Sequence, residues 1–395
     1  MKFLFIICCA LLWVANTSYA QQGKPASLNA SAINAKLKDA VLQYKYMMKH
    51  LPGDSFPRSF YPSTGKYFFS NAEWWCSGFY PGSLLLLYEE TGDKKLLAEA
   101  HRILPMLQSQ QFNKGTHDLG FMMYCSFGNA FRLEKNNSYK TIIINSAASL
   151  KTRFNEKIGC LRSWNNSNPN DFLVIIDNMM NLELLCEATR MTGDSSYYKV
   201  AVTHANTTMA NHYRNDYSSW HVINYDPATG NVKQKKTAQG AADSSAWARG
   251  QSWGLYGFTM MYRETKDIRY LDQAVHIADY LLSHPQLPAD KIPYWDYDAP
   301  GIPNALRDAS AASIMASALL ELQAYHTDAR YLPVAKQILQ VLSSEKYHAK
   351  AGANGGFILE HSVGSLPAKS EVDVPLTYAD YYYIEALARL KKMQP

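Results

Sequence analysis

The feature that most limits what this chain can fold into is a repeated corner. An apolar helical stretch runs into a short turn rich in Thr, Asp or Asn, and a Leu or Tyr then opens a second helical stretch. The corner recurs at Glu90-Thr91-Gly92-Asp93 before Leu96, Lys135-Asn136-Asn137-Ser138 before Tyr139, and Met191-Thr192-Gly193-Asp194 before Tyr197. It returns at Glu264-Thr265-Lys266-Asp267 before Tyr270 and at His326-Thr327-Asp328 before Tyr331. Asp, Asn and Ser at such turns accept bonds from the free N–H groups of the next helix, so each turn reads as a helix–helix corner. Stretches before the corners, such as Gly78 to Leu87, are small or apolar on every side and suit burial on all faces. Stretches after them, such as Tyr270 to Leu282, carry Leu271, Ala274, Ile277, Ala278 and Leu281 as one apolar stripe. The first kind are inner helices and the second outer helices.

Inner helices start near Trp75, Asp118, Asp177, Trp247, Asp308 and Tyr378, in steps of 43, 59, 70, 61 and 70 residues. The amphipathic stretch from Ala32 to Leu51 adds an outer helix ahead of the first, making six pairs. The fold class is all-α: a single (α/α)6 barrel of six inner and six outer helices spanning 21–395, with minor hairpin strands in the rim loops. An open solenoid fits the same repeat, and the sequence does not exclude it. Long links rich in Gly, Pro and Trp (52–74, 156–176, 214–246, 285–307 and 346–377) enter the same end of the inner helices, which makes that end the rim of a pocket. Trp220 to Tyr225 followed by Asp226-Pro227-Ala228-Thr229-Gly230 is a strand-and-turn pattern there.

With 47% hydrophobic and 18% charged residues the chain has the apolar surface for a large core and too little charge for a disordered tail. A net charge of +5 without a basic run excludes a nucleic-acid binder. Lys2, the apolar run Phe3 to Ala15 and Ser18-Tyr19-Ala20 read as a signal peptide over 1–20, which implies an exported, periplasmic protein. A secreted or lipid-anchored form stays open. No later stretch is apolar enough for a membrane span. The remaining cysteines, Cys76, Cys125, Cys160 and Cys186, lack metal spacing and read as buried thiols, with one disulfide left open.

Asp118, in Thr116-His117-Asp118-Leu119-Gly120-Phe121, and Asp177, in Ile175-Ile176-Asp177-Asn178-Met179-Met180-Asn181, both begin inner helices. An N-cap is the ordinary role for such an acid. The apolar run Phe172 to Ile176 before Asp177 instead favours a raised pKa and a general acid. Two carboxylates at one rim are also common equipment for glycoside chemistry. In Trp247-Ala248-Arg249-Gly250-Gln251-Ser252-Trp253, Arg249 would pair with a substrate carboxylate while the indoles form sugar platforms, provided the helix begins within the run. The alternative is an Arg stacked on Trp in the core.

Six segments, in order, resemble the unsaturated glucuronyl hydrolases, glycoside hydrolase family 88: Trp75 to Gly82, His117 to Phe121, Asp177 to Asn181, His221 to Gly230, Trp247 to Gly257, and Glu371 to Glu385. The resemblance implies an (α/α)6 barrel and removal of a terminal 4,5-unsaturated uronic acid from lyase-generated oligosaccharides by hydration of its C4=C5 bond. It implies Asp177 as the principal acid and base, with Asp118 and His117 on the sugar hydroxyls. Gln239 and Arg249 would lie near the uronate carboxylate, His221 would orient the sugar, and Trp75, Trp164, Trp247, Trp253 and Tyr378 would form the walls. No metal or organic cofactor follows from it. The segment Gly364 to Ser370, just before the last inner helix, offers hydroxyls and Lys369 to a sulfate or carboxylate on the next sugar, or forms a solvated loop. Glycosaminoglycan fragments from chondroitin, hyaluronan or heparin are the expected substrate, with gellan- and ulvan-derived oligosaccharides left open. The rival readings are an unsaturated rhamnogalacturonyl hydrolase acting on pectin fragments, a sugar 2-epimerase, and a non-catalytic periplasmic sugar-binding protein.

Overall fold

A computed structural model describes residues 28–394. The signal-peptide reading of 1–20 lies outside the described residues. Twelve α-helices are present among them: α1 (Ala30–Met48), α2 (Phe79–Thr91), α3 (Lys94–Leu107), α4 (Asn129–Glu134), α5 (Asn137–Lys151) and α6 (Leu182–Thr192) in the first half. The second half holds α7 (Ser195–Asn211), α8 (Ala248–Thr265), α9 (Ile268–Ser283), α10 (Ala309–Leu322), α11 (Tyr331–Leu342) and α12 (Thr377–Lys392).

The even-numbered helices form the inner ring. Phe79 to Leu87 of α2 are all buried, and α10, built largely from Ala and Ser, is buried on almost every side. On α9 only the stripe containing Tyr270, Leu271, Ala274, Ile277, Ala278 and Leu281 is buried, as befits an outer helix. Four corners are capped as expected: Asp93, Asn136, Asp194 and Asp267 each accept the N–H two residues on. At the fifth, Asp328 accepts from Arg330 one residue ahead of α11, so the cap sits just outside the helix. The ring closes because α12 packs on both α10 and α2. That contact decides between barrel and solenoid in favour of the barrel.

Two inner helices begin irregularly. Residues Gly120–Gly128 form wide π-helical turns before α4, and Ile176–Asn181 form a 3₁₀ segment before α6. The wide turns press carbonyls against α2, where a Cβ on Gly78 would lie 2.1 Å from the Met122 oxygen and one on Gly82 2.5 Å from the Cys125 oxygen. Only glycine fits there.

The rim loops carry short antiparallel strands: β1 (Phe56–Tyr61) with β2 (Lys66–Ser70), and β3 (Phe154–Asn155) with β4 (Cys160–Leu161). The sheet β5 (Phe172–Ile175), β6 (Val222–Tyr225), β7 (Val232–Lys236) and the pair β8 (Ser362–Ser365), β9 (Ser370–Val374) complete them. The hairpin expected at 220–230 is β6 and its turn. The apolar run before Asp177 is β5, whose pairing of Ile175 with Val222 brings two distant segments into register. Cys76, Cys125, Cys160 and Cys186 are free thiols. No helix among the described residues is long and apolar enough to cross a membrane.

Candidate active site

At the N-terminal end of the inner helices a cavity of about 160 Å³ is lined by Trp75, His117, Asp118, Trp164, Ile175, Asp177, Gln239 and Arg249. A larger cavity, about 440 Å³, lies toward the C-terminal ends of these helices. Volume does not decide between them; charge pairing does. In the larger one, Arg132 grips Glu89, and Arg263 and Arg389 are paired with Glu183, Glu321 and Glu385. Glu183 is pushed up to about 7 by burial, yet its oxygen is held by Arg263. In the smaller one, Asp118 and Asp177 stand among histidines and indoles with no Arg or Lys in ion-pair contact among the described residues. Burial carries Asp177 from 3.8 to about 7 against the pull of Arg249, with Asp118 adding to the rise. Burial also lifts Asp118 to about 7, against Thr116 and Arg153. Neither carboxylate caps a helix, which removes the ordinary reading of both.

The two acids face different partners. His117 donates from Nδ1 to the Ser163 carbonyl at 2.8 Å, which leaves Nε2 as the unprotonated nitrogen, 3.2 Å from Asp118 Oδ1. An acceptor there favours the acid form of Asp118, whose other oxygen accepts from the Thr116 hydroxyl at 3.0 Å. His221 is the reverse. Its Nδ1 accepts the backbone N–H groups of Ala238 and Gln239, both at 3.2 Å, so its proton is on Nε2, 3.6 Å from Asp177 Oδ2. The Trp253 indole N–H also faces Asp177 without reaching hydrogen-bond geometry. Asp177 therefore looks onto donors that steady its anion. Burial holds both rings neutral, with pKa values pushed down to about 3. The β5–β6 register builds this contact, since the Ile176 N–H donates to the His221 carbonyl at 3.0 Å.

Arg249 and Gln239 meet at one atom. Both donate to the Gly364 carbonyl of β8, at 2.6 and 2.9 Å, and Arg249 also binds Asp308 at 3.1 Å and the Val363 carbonyl at 2.5 Å. The guanidinium stacks 4.6 Å from the Trp247 ring, as the core alternative expects, while still lining the cavity. Helix α8 does begin within the Trp-Ala-Arg-Gly run, with Trp247 at the N-cap position. Gln251 is spent on the Ser219 backbone.

Of the expected site residues, Asp177, Asp118, His117, Gln239, Arg249, Trp75 and Trp164 line the cavity. His221, Trp247, Trp253 and Tyr378 do not; each is buried behind it. Expected on the sugar, His221 instead lies behind Asp177, its ring 4.4 Å from that of Trp247. Trp253, expected in the walls, is fully buried against Phe121 and Tyr382, and Tyr378 lies under Trp75 at 4.8 Å. Only Trp253 lies a full turn into its helix; Trp247 is the N-cap of α8, Tyr378 the second residue of α12, and His221 leads into β6. Thr116, Ser163 and Asp308 escaped the sequence reading as site residues. Only Asp308 left a signal, a cap pattern with Ser310. Among the described residues no group of three or more His, Cys, Asp or Glu is placed to hold a metal ion.

A closed ring of paired helices with two unpaired carboxylates under aromatic walls defines a carbohydrate-active barrel enzyme. Residues 54–392 match the model of Glycosyl Hydrolase Family 88. An unsaturated glucuronyl hydrolase of Formosa agariphila is 49% identical over 321 residues, 81% of this chain and 80% of its own. An unsaturated chondroitin disaccharide hydrolase of Streptococcus agalactiae serotype III is 32% identical over 372 residues, 91% of each chain. A crystal structure of an unsaturated glucuronyl hydrolase specific for heparin is similar with a TM-score of 0.90 and 47% identity, over 92% of this chain and 98% of that one. The chain belongs to Glycosyl Hydrolase Family 88, within the unsaturated glucuronyl hydrolases. The epimerase, pectin and sugar-binding readings are set aside by this match.

Proposed function

We propose that this enzyme hydrates the C4=C5 bond of the unsaturated uronic acid that polysaccharide lyases leave at the end of glycosaminoglycan fragments, and so releases that sugar. The observation that carries the reading is the pair Asp118 and Asp177, both raised to about 7 in a cavity that also presents Arg249 and Gln239. An acid with a pKa near the working pH gives a proton and takes it back with least penalty. Asp177 delivers its proton to C4. Positive charge develops at C5 and the ring oxygen, and the Asp177 carboxylate is steadied by the N–H groups of His221 and Trp253. That carboxylate then takes a proton from the water whose oxygen bonds to C5. The resulting hemiketal opens to a C5 ketone and a hemiacetal at C1, which expels the saccharide. Protons and electrons balance, with one water consumed.

Asp118 in its acid form, held by His117 and Thr116, meets the sugar hydroxyls. Arg249 keeps its Nε–H, unpaired among the described residues, for the uronate, with the remaining Gln239 amide hydrogen beside it. Trp75 and Trp164 supply flat faces for the ring. The β8–β9 turn, with Lys369 exposed at its tip, supports contact with a charged group on the second sugar. The leader-like segment 1–20 supports action after export, in the periplasm.

Unsaturated heparin, chondroitin and hyaluronan disaccharides each absorb in the ultraviolet through the conjugated C4=C5 carboxylate. Loss of that absorbance with the purified protein is the expected result, and its rates rank the substrates. Constant absorbance with all three would refute the reading.

A further inference from the structure

Arg153 follows α5, outside the six segments that mark the family, and is buried at 8% exposure. All its partners are neutral. Nε donates to the Arg162 carbonyl at 2.8 Å, Nη1 to the Lys114 carbonyl at 2.6 Å, and Nη2 to the Ser163 carbonyl at 3.1 Å and Asn165 Oδ1 at 3.0 Å. No carboxylate reaches ion-pair distance of Arg153 among the described residues, and the acid whose field it feels is Asp118. A buried cation without a paired anion is costly, and proteins ordinarily avoid it. Here the guanidinium stitches the 114–116 segment to the 162–165 segment. These carry Thr116 with His117 and Asp118 after it on one side, and Ser163 with Trp164 on the other. The Ser163 carbonyl accepts from both Arg153 and His117, so the cation is one atom removed from the ring that faces Asp118.

We propose that Arg153 is a positioning residue for the hydration step: it clamps the two loops that hold Asp118 and Trp164, and its uncompensated charge sets how readily Asp118 ionises. The proposal rests on the function given above and deepens it. The groups facing Asp118 are His117 beside it, Asp177 on the 3₁₀ segment, the Cys76 thiol ahead of α2, and Arg153 behind. Arg153 alone among them carries a positive charge at neutral pH, because burial keeps His117 neutral. It opposes the rise that burial imposes on Asp118.

Charge and clamp separate in three variants. Arg153→Met removes both, Arg153→Lys keeps the charge and loses the fork of carbonyl bonds, and Asn165→Asp keeps the fork and adds a carboxylate that neutralises it. The pH profile of kcat/KM is expected to move about one unit toward alkaline in Arg153→Met and Asn165→Asp, and to stay in place in Arg153→Lys, whose KM rises. Nuclear magnetic resonance of ¹³C-carboxyl aspartate in wild type and Asn165→Asp reads the Asp118 titration without needing turnover. It is expected to shift in the same direction. Unmoved profiles with equal losses in Met and Lys, or an unmoved Asp118 titration in Asn165→Asp, would overturn the proposal. Wild-type protein that hydrates no unsaturated disaccharide would instead refute the function, leaving the titration to judge Arg153.

Discussion

Replacing Asp177 by Asn should destroy activity and stabilise the protein, and the two effects come from one cause. Burial lifts the Asp177 carboxyl from 3.8 to about 7. At about 1.4 kcal/mol per unit, the folded state resists ionisation of this group by about 4 kcal/mol, an upper figure because Asp118 shares the site. The folded pKa is above the unfolded one. The favourable contribution is therefore fully present below pH ~3.8 and is lost as pH rises through about 7. Asn has nearly the same shape and never ionises. The variant and wild type should have similar stability at pH 4, and at pH 8 the variant should be more stable by up to about 4 kcal/mol. Urea unfolding at both values reads the difference, while absorbance loss with an unsaturated disaccharide should slow by about 10²-fold or more. Equal stability offsets at pH 4 and pH 8, or turnover within threefold of wild type, would refute the assignment of Asp177 as a buried acid in the reaction.

Other substitutions test the supports. Arg249→Met leaves Asp308 buried without its cation and should cost about 3–5 kcal/mol in urea unfolding; a cost below about 1 kcal/mol would refute the buried pair as a support of the fold. Trp75→Ala removes a face of the cavity and should raise KM about tenfold with kcat nearly kept. A fall in kcat alone would place Trp75 in the chemistry. Protein beginning at residue 21 should titrate four thiols with Ellman's reagent after denaturation, with or without prior reductant. A count of two would reveal a disulfide.

The barrel was readable because its signal is local: the caps at Asp93, Asn136, Asp194 and Asp267 and the stripe on α9 depend on residues a few positions apart. Asp118 and Asp177 were readable because each follows a link into an inner helix. What the sequence hid are relations between segments. Nothing in Phe172 to Ile176 tells that its strand pairs with Val222 and so sets His221 behind Asp177 instead of on the sugar. The Gly364 carbonyl, which binds both Gln239 and Arg249, belongs to a backbone group that any residue supplies. Trp253 and Tyr378 look like platforms by composition, and only their packing against Phe121, Tyr382 and Trp75 from other segments shows them buried.

The barrel itself has a polarity that bears on the chemistry. All six inner helices run the same way, so their N-termini surround the small cavity and their C-termini the large one. Helix dipoles favour anions at the first end and cations at the second. The cationic end obeys: Arg132, Arg263 and Arg389 gather near the C-termini, each paired with Glu. The other end should pull Asp118 and Asp177 toward their anions, by no more than about 2 kcal/mol even in buried geometry. Their rise to about 7 corresponds to about 4 kcal/mol, so desolvation wins. The site thus keeps two carboxylic acids protonated in a field that attracts an anionic sugar. Water exclusion holds the proton ready, and the dipoles and Arg249 receive the uronate. A substitution that lets water reach Asp177 would therefore be expected to lower its pKa and slow proton delivery to C4 even where uronate binding is unchanged.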